Sequence, residues 1–182
     1  VDLPHVIDRK RALLEGTERG RAVLARPNHI LIAADVQDTD LAALSEGDGR
    51  PGLDPARPVF VATEGLLQYL DVEASWALWR QVAALLAGAG GAYAFDLVPW
   101  TEQPGTGVWG RFLGMCMKVF TRGRTFERDE RSRADLLGQL AQAGLSDPHA
   151  YDAAQVAAEW GLPHADVNTN QVVFHCVGQV TR

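Results

Sequence analysis

The stretch that decides the fold is PVFVATEGLLQYL, residues 58–70. An apolar, β-branched run at 59–61 meets Glu64 and Gly65, and the chain then changes at once to a leucine-rich pattern with helical spacing. Short apolar runs are typical of buried strands, and glycine marks points where the backbone changes course. The pattern therefore predicts a strand over 59–63 that ends at a carboxylate, directly before a helix.

An apolar run that ends in an acid occurs at three further places. The acids at these places are Asp2, Asp35 and Asp96. The runs 29–34 and 92–97 predict two more strands of the same kind as 59–63.

Helical patterns alternate with these runs along most of the chain. Helices are predicted over 5–15, 40–44, 66–70, 72–87, 132–143 and 153–160, and further strands over 149–151 and 170–180. Strands that alternate with helices indicate an α/β fold with a largely parallel sheet.

The acids at the strand ends predict a ligand site. Parallel sheets bind ligands outside the carboxyl ends of their strands, so acids at those ends would line one edge. Neighbouring carboxylates repel each other unless they accept hydrogen bonds, and the ribose hydroxyls and exocyclic amine of a nucleoside are suitable donors. The alternative is that each acid caps the helix that follows it. The set as a whole favours the shared ligand edge.

Composition narrows the class of protein. The 182 residues suffice for one domain with a substantial core, and 47% are hydrophobic and 22% charged. A net charge of −6 argues against nucleic acid or an anionic membrane as the main partner. The apolar stretches are too short to span a membrane, and we expect a cytoplasmic protein with reduced cysteines. The histidines and cysteines lack metal-ligand spacing, so no metal site is predicted.

Three segments together resemble a known family. They are VDLPHVIDRKRALL (1–14), AADVQDTD (33–40) and FVATEGLLQYL (60–70), in this order. In order and spacing they resemble the leucine carboxyl methyltransferase family, a branch of the class I S-adenosylmethionine-dependent methyltransferases. Its bacterial relatives act on carboxylates of polyketides and other metabolites. The resemblance covers residues 1–97 well and the remainder loosely.

The resemblance implies a fold and a cofactor site. The fold is a Rossmann-like sheet with helices on both faces, and the cofactor is S-adenosyl-L-methionine. Asp2 matches the acid that holds the ribose hydroxyls, while Asp35 and Val36 match the pair that contacts the adenine. Glu64 matches the acid beside the methionine portion, and Gly65 would let the backbone approach the ligand closely.

The family's first strand and glycine-rich loop have no counterpart in the sequence. We therefore expect an N-terminally incomplete chain that starts inside the fold. Residues 1–182 are interpreted as a single partial domain, with a cofactor-side half at 1–97 and the substrate side at 98–182. An exposed sheet edge would favour self-association into a homo-oligomer.

The predicted activity is O-methylation of a carboxylate of a small metabolite. A carboxylate is ionised at neutral pH and needs no general base, so positioning and exclusion of water carry the catalysis. Tyr69 is the candidate catalytic residue, and Arg111, Arg122 and Arg124 are candidates for binding the substrate carboxylate. The alternative for these side chains is an ordinary position on an amphipathic surface.

Two other functions remain open from the sequence. The first is a truncated, non-catalytic methyltransferase-like remnant or interaction subunit. The second is another nucleotide-binding enzyme such as a nicotinamide-dependent reductase, which the absence of a Tyr-x-x-x-Lys pair disfavours.

Overall fold

The computed structural model describes residues 1–44, 52–54, 56–88, 90–97, 99, 130–163 and 172–178. The chain divides into two compact units, Val1–Arg57 and Pro58–Arg182. The helices are α1 (Pro4–Glu15), α2 (Glu18–Leu24), α3 (Val72–Leu86), α4 (Arg133–Gln142) and α5 (Ala153–Glu159), with 3₁₀ turns at Leu41–Leu44 and Leu67–Tyr69. The strands are β1 (Val59–Thr63), β2 (Gly91–Leu97), β3 (Leu145–Asp152) and β4 (Val172–Gly178). The assignment of the whole chain to one partial domain stays a prediction.

The first unit contains a pair of short helices that meet at a glycine. Pro4 occupies the first turn of α1, where its missing N–H would have no helical partner. The Thr17 hydroxyl accepts the Gly20 N–H at 2.9 Å and caps α2. Gly20 is buried, and a Cβ there would overlap the backbone of Leu14. The sequence did not predict α2, because a seven-residue helix depends on packing against a neighbour more than on its own propensity.

The run 29–34 is not the buried strand that the sequence predicted. Within the described residues 1–44, this run forms one isolated β-bridge, in which Ala33 lies parallel to Asp2. Ile30 is 40% exposed, and Ala33 is exposed as well. An apolar, β-branched run favours a strand only where neighbouring strands pair with it and cover it, and here the pairing is limited to one bridge.

The second unit contains a four-stranded sheet with the order β1-β2-β4-β3. β1 and β2 are parallel, with Thr63 opposite Phe95 in the register. β4 lies antiparallel between β2 and β3, so β1, β2 and β3 all run in one direction. The predicted α/β sheet is thus confirmed for the described strands, but it is mixed: β1–β2 is the parallel pair, and the two pairs that β4 makes are antiparallel.

The core of this unit lies between α3 and one face of the sheet. Tyr93, Phe95 and Leu97 alternate along β2 and are all buried. The Trp79 ring of α3 is fully buried, with its centroid 5.9 Å from that of Phe95. Leu86, about two helical turns further along the same face of α3, is also fully buried. Period-two burial on the strand and helical spacing on α3 therefore meet in one apolar layer.

Side-chain caps mark the starts of α3 and α4. The Asp71 carboxylate accepts the Ala74 N–H at 2.7 Å at the start of α3. Ser132 and Asp135 form a reciprocal capping box at the start of α4. The predicted helices 72–87 and 132–143 are confirmed to within a residue at each end, because local hydrogen bonds fix where each helix begins.

β3 is longer than the predicted strand 149–151. It pairs with β4 over most of its length, with an irregularity between Ser146 and His149. Asp147 has φ 49 at this point, and Pro148 follows it. Asp147 and Pro148 disfavour a strand in isolation, and both fit a bulge in a strand at the edge of a sheet.

The described helices include none that could span a membrane: each is too short or too polar.

Candidate functional site

In the first unit, backbone pairing brings Asp2 beside the segment that leads to Asp35. The Asp2 N–H donates to the Ile32 carbonyl at 3.1 Å, and the Ala34 N–H donates to the Asp2 carbonyl at 2.9 Å. Asp35 follows Ala34 directly, so both acids lie at the ends of two adjacent, parallel segments. The predicted neighbourhood of Asp2 and Asp35 is present although the run 29–34 is not a regular strand.

Local hydrogen bonds orient Asp35. Its Oδ1 accepts the Gln37 N–H at 3.0 Å, and its carbonyl accepts the Thr39 hydroxyl at 2.6 Å. This is an Asx turn, which fixes one carboxylate oxygen on the chain itself. Asp35 and Val36 are both half-buried. Asp2 is exposed, and its Oδ1 accepts the Leu3 N–H at 2.8 Å.

In the second unit, Glu64 and Asp96 lie side by side at the carboxyl ends of two parallel strands. Thr63 and Phe95 are paired in the register of β1 and β2, so the next residue of each strand is an acid. Glu64 is exposed and Asp96 is half-buried. The sequence prediction that acids after neighbouring strands share an edge is confirmed for this pair.

Gly65 links these two acids. Its N–H donates to Asp96 Oδ1 at 2.6 Å, a short, charge-assisted hydrogen bond. Its φ is 60, in the left-handed region that L side chains rarely adopt. A Cβ built on Gly65 would have Gln68 Nε2 as its nearest neighbour, at an ordinary 3.7 Å. The backbone conformation therefore explains why glycine occupies this position. The close approach of a ligand to Gly65 stays a prediction.

Tyr69 lies in the 3₁₀ turn that follows Gly65 and is 37% exposed. The predicted helix over 66–70 is this single turn, after which Asp71 caps α3. The side chain is thus accessible near the strand end at which Glu64 lies. The other predicted substrate residues, Arg111, Arg122 and Arg124, lie outside the described residues.

A part-buried pair of side-chain hydroxyls links β1 to β2. The Tyr93 and Thr63 hydroxyls are 2.9 Å apart, across the pairing of β1 with β2. Burial raises the pKa of Tyr93 well above its usual range, so the phenol stays protonated at neutral pH. Tyr93 therefore serves as a neutral hydrogen-bonding partner within the core rather than as a base.

Cys176 is the register partner of Tyr93 on β4. It is a buried free thiol, and burial raises its pKa to about 12. A thiol with such a pKa carries almost no thiolate at neutral pH, so Cys176 is unsuited to nucleophilic catalysis.

The described part of the chain holds no cluster of three or more histidine, cysteine, aspartate or glutamate side chains that could bind a metal ion. The groups that these residues offer are carboxylate acceptors, a glycine turn and a tyrosine that is 37% exposed. Such groups bind and orient a ligand that carries hydroxyl, amine or ammonium donors.

Comparison with known proteins shows a family resemblance in the N-terminal part. Residues 1–83 match the family described as leucine carboxyl methyltransferase. This match spans the predicted residues Asp2, Asp35, Val36, Glu64 and Gly65. The resemblance that the sequence motifs predicted is therefore confirmed.

Curated relatives carry the name S-adenosyl-L-methionine-dependent methyltransferase as an assignment. One from Mycobacterium sp. (strain KMS) is 37% identical over 103 residues, which is 57% of this chain and 32% of the relative. One from Mycobacterium tuberculosis (strain ATCC 25618 / H37Rv) is 39% identical over 101 residues, 56% of this chain and 31% of the relative. A third, from Mycolicibacterium smegmatis, is 28% identical over 91% of this chain and 48% of its own length. The chain spans about a third to a half of the relatives that it matches.

Solved structures resemble the chain in fold. An assigned O-methyltransferase from Nostoc punctiforme has a TM-score of 0.56 at 14% identity, over 97% of this chain and 42% of that one. An O-methyltransferase family protein from Burkholderia thailandensis gives 0.53 at 13% identity, over 100% of this chain and 43% of that one. PigF with SAH gives 0.55 at 16% identity, over 97% and 41%. The predicted class I methyltransferase fold, with its Rossmann-like α/β sheet, is confirmed.

Proposed function

We propose that this chain contributes the cofactor-binding edge of an S-adenosylmethionine-dependent O-methyltransferase that acts on a carboxylate of a small metabolite. The observation that carries the proposal is the pair of acids at adjacent parallel strand ends, Glu64 beside Asp96, with Gly65 between them. Glu64 and Gly65 lie within the segment that matches the leucine carboxyl methyltransferase family. An exposed acid at this edge of an α/β sheet, such as Glu64, is suited to binding a nucleoside ligand.

The residues present fit such a cofactor chemically. Asp35 uses Oδ1 within its own turn, so its second oxygen and the adjacent backbone of Val36 would hold the adenine. The exposed Asp2 carboxylate would accept hydrogen bonds from the ribose hydroxyls. The exposed Glu64 carboxylate would pair with the ammonium group of the methionine portion. These roles of Asp2, Asp35 and Glu64 are the ones that the family resemblance implies.

The bound cofactor would supply an electrophilic methyl group on a sulfonium. The chain's own task is then to orient this group in line with a substrate oxygen and to exclude water. A substrate carboxylate is already ionised at neutral pH, so no residue needs to remove a proton. The Tyr69 hydroxyl would donate to the substrate carboxylate, with Arg111, Arg122 and Arg124 as further donors. These donors would bind the substrate carboxylate through the oxygen that does not attack the methyl group. The attacking oxygen would then remain nucleophilic.

The other predicted properties are part of the same proposal. A small-molecule carboxylate agrees with a net charge of −6, which disfavours polyanionic partners. We also infer a cytoplasmic, bacterial protein that self-associates into a homo-oligomer.

Titration with S-adenosylhomocysteine tests the proposal. Isothermal titration calorimetry should detect binding to the chain. Asp2→Ala and Glu64→Ala should each weaken it about 10- to 100-fold, because each removes a charged acceptor from the ligand. Asp8→Ala and Glu73→Ala are matched controls, since both remove exposed carboxylates from helices.

The controls should leave the affinity unchanged. Absence of measurable binding to the wild-type chain would favour the non-catalytic alternative. Equal affinities for the wild type, Asp2→Ala and Glu64→Ala would contradict the assigned roles of these acids.

A further inference from the structure

The bond between Gly65 and Asp96 joins two strand ends outside the regular ladder. The donor is a backbone N–H in a left-handed residue, and the acceptor is a half-buried carboxylate 31 positions later in the chain. At 2.6 Å it is among the shortest hydrogen bonds that a backbone N–H makes in the described residues. Short bonds to an ionised acceptor are about twice as strong as neutral ones.

This bond restrains the backbone directly after Glu64 and so affects the direction of the Glu64 side chain. Glu64 immediately precedes Gly65 and follows Thr63, whose register partner Phe95 is followed by Asp96. The left-handed conformation of Gly65 turns the chain out of β1 toward the 3₁₀ turn Leu67–Tyr69. Glycine itself populates several regions of φ and ψ with similar free energies, so glycine alone does not hold one conformation. An added bond to a fixed acceptor selects one of them.

We propose that Asp96 is a positioning residue, which holds the Glu64–Gly65 turn in its left-handed conformation and thereby presents the Glu64 carboxylate at the sheet edge. Asp96 acts as the hydrogen-bond acceptor of the Gly65 N–H, and its negative charge strengthens that bond. The second part of this inference, the consequence for binding, rests on the proposed function.

Two substitutions separate the acceptor from the charge. Asp96→Asn keeps an oxygen that can accept the Gly65 N–H but removes the negative charge. Asp96→Ala removes both. Asp71→Ala is a matched control, because Asp71 also accepts a backbone N–H, that of Ala74 at 2.7 Å, but at the exposed start of α3.

Amide hydrogen exchange, followed by NMR without any ligand, tests the turn. Exchange at Gly65 should become at least 10-fold faster in Asp96→Ala and should increase less in Asp96→Asn, because an amide oxygen still accepts the bond but more weakly than a carboxylate. Asp71→Ala should leave exchange at Gly65 unchanged. Unchanged exchange at Gly65 in Asp96→Ala would overturn the inference.

A wild-type measurement covers the case in which Asp96→Ala does not fold. Exchange at Gly65 in the wild-type chain should be at least 10-fold slower than exchange of the same amide in an unstructured peptide of this sequence. Exchange at the rate of the unstructured peptide would overturn the inference equally.

Binding of S-adenosylhomocysteine tests the consequence. The affinity should fall about 10-fold in Asp96→Ala, fall less in Asp96→Asn, and stay within about 2-fold of wild type in Asp71→Ala. An equal loss in Asp96→Asn and Asp96→Ala would overturn the inference, since it would show that the charge is what matters. Failure of the proposed function is recognised separately: the wild-type chain would then bind no S-adenosylhomocysteine, whatever the exchange at Gly65.

Discussion

Gly65 is the residue at which sequence and structure meet most directly. The sequence marked it as the point between a strand and a helical pattern, and the structure assigns it φ 60. An added Cβ would meet no clash, since Gln68 Nε2 would lie at an ordinary contact distance of 3.7 Å. Its role is therefore conformational: it permits a turn that a residue with a side chain adopts only with strain.

Substituting Gly65 tests this role at the scale of a single residue. Gly65→Ala should lower the free energy of unfolding by about 1–2 kcal/mol, the strain of one L residue in the left-handed region. Gly138→Ala is the matched control: it lies inside α4 with no heavy atom within 4 Å of an added Cβ. Better helix propensity should make that variant more stable by about 0.5–1 kcal/mol. Urea denaturation measures both, and equal stability of Gly65→Ala and the wild type would contradict the left-handed conformation.

At the scale of elements, caps determine where the helices begin. Asp71 and Ser132 each accept a backbone N–H from the first turn of the helix that follows. Each cap is a local interaction within four residues, so the residues that form it lie close together in the sequence. β3 and α2 were not readable to their full length, because their stability comes from β4 and α1.

The capping box of α4 predicts a dependence on pH. Hydrogen bonds from the side chain and then the backbone of Ser132 lower the pKa of Asp135. A folded-state pKa below the unfolded value means that the ionised carboxylate stabilises the folded state. This contribution is complete above the ordinary aspartate pKa of about 4, and it is lost as the pH falls through the lowered folded value.

An NMR titration of the Asp135 carboxyl measures this effect. Ser132→Ala should raise the pKa of Asp135 toward its ordinary value and remove that part of the acid sensitivity of α4. Ser132→Thr is the control, because threonine retains the hydroxyl that caps the helix. An identical Asp135 titration in the wild type and Ser132→Ala would show that the capping box is not formed in solution.

At the scale of the whole molecule, the packing of α3 on β2 supports the described strand edge of the second unit. Trp79 is fully buried against Phe95, and the Arg131 guanidinium lies 5.2 Å from the centroid of the Trp79 ring. The contact thereby joins α3, the sheet and the residues that precede α4. The acids at the ends of β1 and β2 keep their relative positions only if this layer is intact.

Removing the Trp79 ring should destabilise the fold more than any surface change. Trp79→Ala should lower the free energy of unfolding by about 3–5 kcal/mol, through lost burial and the cavity left behind. Trp79→Phe should cost less, since it keeps an aromatic ring against Phe95. Trp160, which is 74% exposed, provides the control: Trp160→Ala should stay within about 0.5 kcal/mol of wild type. Thermal unfolding followed by circular dichroism decides, and similar midpoints for Trp79→Ala and Trp160→Ala would refute the predicted role of this core.

Much of the fold followed from local patterns. The strands at 59–63 and 92–97 and the helix at 72–87 were predictable because their apolar periodicity and end signals agree. The run 29–34 was predicted wrongly as a buried strand, since composition does not say whether partners will pair with it. The proximity of two of the acids was predictable for the same reason: Glu64 directly follows β1, Asp96 lies near the end of β2, and parallel strands bring their carboxyl ends together.

The sequence by itself determined the α/β class, the helix starts and the acids that end the apolar runs, because propensity, capping and periodicity act over a few residues. Only the tertiary structure decided the pairing of Gly65 with Asp96, the insertion of β4 between β2 and β3, and the reduction of 29–34 to one bridge. These depend on contacts between residues far apart in the chain, whose register is set by packing and backbone hydrogen bonding across the whole sheet.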